Sequence, residues 1–387
     1  MRILMVHPHD IFLTSEPWTI RIKKFAEELV KLGHEVKLAY FPLPLDRVFE
    51  KLEAKTRPGY ETIPLNRSRW SFPANVVKLS RLARWAEVVH FQKCFHYAAL
   101  PSILAAYLQG RPVHYDWDDW EYQIYQFWPP SVVMGWYLNA LEQLLPKLAD
   151  SVSVASQNLY RLCIRTGIDP DRIFEAHVGA DLEEFSPARN GNRIREKYHI
   201  LGPIAVYVGQ LHSGQYVDLF IEAARILKGT DICFVIVGGG YDLHRYLEMS
   251  RDLTDIGKVI FTGFLQRWEV AQYVAAADVA VACFADNDLT RSKSPLKIAE
   301  YLAAGKAIVA SRVGEVERMV GDAGVLVKPG DALALAEGIR QLAANPDLRQ
   351  EMGLRARRRA ETEYNWSVPA RNLERAYRLI TSRNGAA

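Results

Sequence analysis

Cysteine is scarce: four residues in 387, namely Cys94, Cys163, Cys233 and Cys283, widely separated and never in a CxxC pair. That spacing argues against a disulfide framework and against a zinc site, and reduced, buried thiols are the plain expectation. No apolar run approaches the roughly 20 residues that a membrane-spanning helix needs. The opening "MRILMVHPHD" moves straight into a strand-like run without the apolar core and cleavage site of a secretory signal, so a cytoplasmic protein is expected. Net charge is also small. Forty-eight Lys and Arg against 45 Asp and Glu leave +3, so no nucleic-acid partner is expected. Sequence repeats and low-complexity tracts are absent.

What is present describes a globular protein, with 49% hydrophobic and 24% charged residues. The length suits two domains better than one core. Short apolar runs alternate with amphipathic stretches. "RILMVHP" (2–8), "HEVKLAY" (34–40), "EVVHF" (87–91), "VHYD" (113–116) and "SVSVAS" (151–156) read as strands, with a helix over 18–33. After a polar segment at 186–200 the pattern restarts with "IAVYVG" (204–209), "CFVIVGGG" (233–240), "VIFTG" (259–263), "VAVACF" (279–284) and "AIVAS" (307–311). The restart predicts two α/β domains, each a doubly wound parallel sheet, over 1–187 and 195–366. Such sheets bind ligands outside the carboxyl ends of their strands, so the expected site is a cleft between the two domains.

"SKSPLKIAEYLAAGKAIVAS" (292–311) reads as a helix and a strand, with Ser294 as cap, Pro295 at the first helical position and Gly305 at the end. Packing does not ask for Lys297 and Glu300 on its first turns. Three residues apart, they fit an exposed surface pair or a ligand site.

Several stretches, in order, carry a resemblance. They are "YVGQLHSGQYVDLFIEAARIL" (207–227), "FVIVGGG" (234–240), "VIFTGFLQRWEVAQYVAAADVAVACF" (259–284), "SPLKIAEYLAAGKAIVASRVGEVERMV" (294–320) and "AGVLVKPGDALALAEGIRQL" (323–342). They resemble the C-terminal half of the GT-B glycosyltransferases of family 4, and "LVKLGHEVKLAY", "EVVHFQ" and "FEAHVGADLEEFSP" extend the likeness to the first half. The resemblance implies a nucleotide-diphosphate sugar, UDP- or GDP-hexose, as donor substrate, with no bound cofactor and no metal. It implies a glycan or glycolipid acceptor and transfer with retention of anomeric configuration. Glu300 would bind the ribose hydroxyls, since a carboxylate suits a vicinal diol. Lys297, Ser294 and Leu296 at the helix start would face the diphosphate, as would Gly209, Gln210 and Gln215 of the preceding loop.

The chain departs from the family pattern at four places. Ser292 stands where a glutamate is usual, Pro295 where a glycine is, and Gln210 and Gln215 where an arginine and a lysine are. An amide hydrogen-bonds a phosphate but does not neutralise it, and Arg291, Lys293 and Lys297 are the expected compensating charges. These departures keep two other readings open: a nucleotide-sugar epimerase on the same fold, and a catalytically weak, partner-binding subunit.

In the first half, "HYDWDDWEYQIYQFW" (114–128) is the densest polar and aromatic stretch. Asp118 falls where relatives place a histidine near the transfer centre, and Asp119 follows it; both are expected to be catalytic, or else to cap a helix. Asp116, Trp117, Thr14 and Ser15 are expected on the acceptor side. The aromatics of this stretch, from Trp117 to Trp128, fit either a sugar platform or core. His7 and His9 read as loop histidines. Lys78, Arg81 and Arg84 lie at helical spacing among apolar residues, which suits either a sheet-covering helix or contact with an anionic membrane. By the resemblance, the last helix, 367–383, crosses back to the first domain, with Leu373, Tyr377 and Ile380 on one face.

Overall fold

The computed structural model describes residues 1–12, 16–43, 59–127, 129, 131–212, 214 and 216–384. The chain folds into two compact units. The first comprises Met1–His177, Ser292–Ser294 and Trp366–Ala387, and the second comprises Val178–Arg291 and Pro295–Asn365.

Among the described residues, the first unit holds seven parallel strands: β1 (Arg2–His7), β2 (Glu35–Tyr40), β3 (Glu61–Pro64), β4 (Val88–Gln92), β5 (Val113–Trp117), β6 (Ser151–Val154) and β7 (Ile173–Glu175). Their order is β3-β2-β1-β4-β5-β6-β7, with Ile3 opposite both Val36 and Val88. β4 and β5 are buried along their whole length, as a sheet covered on both faces requires. Helix Pro17–Lys31 packs with the last helix, Ser367–Asn384. Helices Phe72–Trp85, His96–Leu108 and Val132–Leu148 pack together on the opposite face. The direction of each crossover decides the face: β1 to β2 runs one way along the sheet, while β3 to β4, β4 to β5 and β5 to β6 run the other. In the last helix Leu373, Tyr377 and Ile380 are buried together, and the Tyr377 hydroxyl lies 2.7 Å from His90 Nδ1.

The second unit holds six parallel strands among its described residues: β8 (Ile204–Val208), β9 (Cys233–Val237), β10 (Val259–Phe261), β11 (Val279–Ala282), β12 (Ala307–Ser311) and β13 (Gly324–Val327), in the order β10-β9-β8-β11-β12-β13. Both sheets match the doubly wound expectation.

Local differences have local causes. Strands β3 and β7 are edge strands of four and three residues, too short to show a pattern. The polar segment 186–200 contains a short helix, Asn192–Lys197. The helix carrying Glu300 begins at Leu296, not Pro295. Pro295 is extended (φ −73°, ψ 114°) and takes the capping position expected of Ser294. Gly305 ends the helix with φ +64°, as its sequence position suggests.

Candidate functional site

Each sheet reverses its strand order once, and each reversal gathers charged side chains. In the second unit the reversal lies between β8 and β11. There the loops after β8 and β9 run in backbone contact: Leu211 N donates to Gly239 O at 2.9 Å, and Gly209 N to Val237 O at 3.0 Å. Gly238 has φ +135°, and a Cβ on it would meet Gly209 O at 2.0 Å, so only glycine permits the crossing. Helix Leu296–Ala303 is anchored beside this loop. The Tyr301 hydroxyl accepts from Val208 N at 2.8 Å and donates to Val281 O.

Lys297 Nζ sits 3.9 Å from the centre of the Tyr207 ring and 5.8 Å from that of Phe284. A Cβ on Gly209 would lie 2.8 Å from that ammonium, so the glycine gives the lysine its room. The lysine therefore stands at the carboxyl ends of β8 and β11, where a doubly wound sheet binds ligands.

Glu300 is 4% exposed and makes no surface pair with Lys297. Its Oε1 accepts from Arg267 Nη1 at 2.7 Å, and Arg267 Nε donates to Glu184 Oε2 at 2.6 Å. Burial raises the Glu300 carboxyl, and the Arg267 guanidinium opposes that shift. Gln210 is half-buried beside Gly209, and Leu296 is buried. Ser294 groups with the first unit and not with Lys297 and Glu300. Gln215 lies outside the described residues.

In the first unit the reversal lies between β1 and β4. Lys93 follows β4 with φ +65°, a strained conformation for a residue with a side chain. Its ammonium lies 3.1 Å from Asp118, 3.6 Å from Asp119 and in direct contact with Glu121 Oε1. It is also 4.9 Å from the centre of the Trp18 ring. Asp118 Oδ2 accepts from Gln92 Nε2 at 3.1 Å, and Gln92 Oε1 lies 2.7 Å from His7 Nδ1. Burial lifts the Asp118 carboxyl to about 7, partly offset by Lys93 and reinforced by Asp119 and Asp116. Lys293 belongs to this unit, where burial lowers its ammonium and the charges of Asp119 and Glu121 raise it.

Several expected residues turn inward. Asp116 is fully buried and takes a two-pronged bond from Arg21, Nε to Oδ2 at 2.9 Å and Nη2 to Oδ1 at 2.8 Å. That pairing holds its carboxyl down at about 2 against the cost of burial. Trp117 is buried and donates its indole N–H to Glu142 at 3.1 Å, which excludes it as a sugar platform. Trp120 and Tyr125 pack against the core, while Phe127 is exposed. His7 ends β1 in full burial and is no loop residue; His9 pairs with Glu16 at 2.9 Å. Arg291 pairs with Asp286 at the surface, whereas Lys297 stands beside Gly209. Thr14, Ser15 and Trp128 lie outside the described residues.

Two family models match the chain. One, described as Glycosyltransferase Family 4, covers residues 19–184; the other, described as Glycosyl transferases group 1, covers residues 202–345. The chain belongs to the family-4-like glycosyltransferases of the GT-B fold.

Solved GT-B structures share its whole length. Sucrose-phosphate synthase from Thermosynechococcus elongatus superposes with a TM-score of 0.77 over 99% of both chains at 20% identity. Anabaena HepE in complex with UDP and glucose gives 0.74 over 96% of this chain and 98% of that one at 15% identity. Among curated relatives, alpha-D-kanosaminyltransferase of Streptomyces kanamyceticus is 28% identical over 195 residues, 48% of each chain. Alpha-maltose-1-phosphate synthase of Mycolicibacterium smegmatis is 27% identical over 264 residues, 62% of this chain and 66% of that one. At the sequence level the chain thus spans about half the length of the first relative and about two thirds of the second. Three residues of these clusters were not singled out from sequence: Lys93 in the first unit, and Arg267 and Glu184 in the second. The only sequence signal among them is Lys93, a lone charge in the apolar run "VVHFQKCF".

Proposed function

We propose that the chain transfers a hexosyl group from a nucleoside-diphosphate sugar to a hydroxyl of a glycan or glycolipid, with retention at the anomeric carbon. The observation that carries this is Lys297 and Glu300 on one helix at the strand reversal of the second unit, beside a glycine crossing. The Glu300 carboxylate suits the ribose diol, and Lys297 suits the diphosphate. The helix start adds favourable potential for the anion. HepE, a neighbour in fold, is described with UDP and glucose bound, which supports this donor class.

The acceptor reading rests on the first unit. Asp118, with a carboxyl near neutrality, would hold the acceptor hydroxyl or stabilise charge at the anomeric carbon. The acceptor oxygen bonds to the anomeric carbon as the bond from that carbon to the diphosphate oxygen breaks. The acceptor proton passes to the departing phosphate oxygen. Asp118, Asp119 and Glu121 offer oxygens within 4.8 Å of one another, a spacing that a divalent cation also accepts. Lys93 already fills that position as the counterion, so the reading requires no metal.

The test is product analysis. The purified chain is incubated with UDP- or GDP-hexoses and a hydroxyl acceptor library, and products are read by mass spectrometry and NMR. A glycosylated acceptor with the donor's anomeric configuration is expected. Isomerised donor without transfer would instead identify an epimerase, and inverted product would overturn retention.

A further inference from the structure

β1 and β4 are neighbours at the strand reversal of the first unit, and each ends in a fully buried polar side chain, His7 on β1 and Gln92 on β4. A buried amide must match its donors and its acceptor to suitable groups, and a buried imidazole must do the same with its two nitrogens. Here those demands fix one arrangement. The Gln92 Nε2 end faces two oxygens, the Trp18 carbonyl at 3.2 Å and Asp118 Oδ2 at 3.1 Å. A carbonyl only accepts, so this end is the NH2 group, and Oε1 faces His7 Nδ1 at 2.7 Å. Turning the amide over would set Oε1 against the Trp18 carbonyl, acceptor against acceptor.

The imidazole is fixed by the same logic. Gln92 Oε1 only accepts, so His7 Nδ1 carries a proton. Burial pushes the imidazole down to about 3, opposed by the Gln92 bond and reinforced by His9, Lys93 and Arg67. The ring is therefore neutral at neutral pH, with its one proton on Nδ1 and a lone pair on Nε2. That lone pair meets the Thr19 hydroxyl at 3.2 Å, which also lies 3.1 Å from Glu16 Oε2.

Asp118 ends this chain of bonds. Its Oδ2 faces the Gln92 NH2 group, and its Oδ1 lies 3.1 Å from the Lys93 ammonium. Both oxygens thus face donors, and a proton on either would point donor at donor. Burial and the charges of Asp119 and Asp116 push the carboxyl up, with Glu121 within 4.8 Å, while Lys93 and Arg21 pull it down. A hydrogen bond to the charged form works on the side of the cations.

We propose that Gln92 is a positioning residue for Asp118 and that His7 sets its orientation, an inference that rests on the reading of Asp118 as the acceptor-side carboxylate. The pair holds a donor on Oδ2, favours the ionised form and leaves the remaining lone pairs to the acceptor hydroxyl. Neither side chain has to touch substrate.

The test follows Asp118 in the full chain in two ways. One is carboxyl carbon-13 NMR on aspartate-labelled protein, with Asp118→Asn identifying the signal. The other is the acid limb of kcat/KM. Gln92→Met should move both upward by about one pH unit or more, the tenfold effect of a lost bond to a charged group. Gln92→Glu keeps the shape of the side chain but sets a second carboxyl group there, so it should move the titration the same way and keeps the test open if Gln92→Met does not fold. His7→Phe should give a smaller shift in the same direction. Gln92→Met/His7→Phe should shift no further than Gln92→Met alone, because His7 acts through the amide. A merely structural role would lower the melting temperature and leave the titration in place. An Asp118 signal that titrates alike in the wild type and the Gln92 variants, or additive shifts in the double variant, would overturn the proposal. If the NMR titration moves and the acid limb does not follow, the positioning of Asp118 holds and its part in transfer falls.

Discussion

Arg267 links two carboxylates that lie 116 residues apart in the chain, donating through Nη1 to Glu300 Oε1 at 2.7 Å and through Nε to Glu184 Oε2 at 2.6 Å. The arginine is thus a positioning residue for Glu300. It fixes one carboxylate oxygen and opposes the upward push that burial gives the Glu300 carboxyl.

Arg267→Met should therefore act twice. It leaves Glu300 buried without its counterion, and removing one partner of a buried pair costs about 3–5 kcal/mol. The loss reads as a lower melting temperature. Glu300 then holds its proton to higher pH, so donor affinity at neutral pH should fall and recover in part on raising the pH. Calorimetry from pH 6 to 9 checks this. A purely structural role would lower the melting temperature without making donor affinity pH-dependent.

Lys297→Gln should weaken binding of the nucleoside diphosphate by about tenfold or more, the range for a lost charged contact. Binding of the bare nucleoside should change little, because it presents no charge to the lysine. Paired titrations of the two ligands separate this from a general loss of the helix.

The Asp118 carboxyl at about 7 sets a pH dependence. Its folded value is above the ordinary 3.8, so the native state keeps a proton that the unfolded chain has lost. That contribution favours folding at low pH and is lost as pH rises from about 4 to about 7. If the ionised form works in transfer, kcat/KM rises with pH through the same group. Lys93→Met removes the neighbouring cation, so the acid limb should move to higher pH by about one unit or more. An unmoved limb would take Asp118 out of the reaction.

Asp116 should behave oppositely. Held at about 2 by Arg21, it stabilises the fold above its ordinary value and loses that effect as pH falls from about 4 to about 2. Asp116→Ala leaves Arg21 buried and uncompensated and should cost about 3–5 kcal/mol. Denaturant unfolding at pH 7 measures the cost.

Most strands were legible because parallel strands in a covered sheet read as largely apolar runs, whereas β3, β7 and β13, each of three or four residues at a sheet edge, were not read as strands. Lys297 and Glu300 stood out as charges on the first turns of a mostly apolar helix, but their spacing alone left a surface pair open, and the donor-site reading came from the family resemblance. Arg267 and Glu184 were not, because their role is set by contacts across 33 and 116 residues of chain from Glu300, which no local pattern encodes. Asp116 and Asp118 show the limit from the other side. Two residues apart on one strand exit, they share chemistry and periodicity. The Arg21 side chain from helix Pro17–Lys31 claims the first, and Lys93 after β4 claims the second. Ser294 reads as a cap from its type, but the segment 292–294 packs with the first unit, and the helix begins only at Leu296.

The most direct test of the central claim is calorimetric titration of UDP-, GDP- and ADP-sugars into the wild type and Glu300→Gln at pH 7.5. One donor should bind the wild type, and the variant should lose about 10- to 100-fold, the range for a hydrogen bond to a charged group, while still folding. If no nucleotide sugar binds the wild type, or if Glu300→Gln binds equally well, the assignment of Glu300 as the ribose clamp is contradicted.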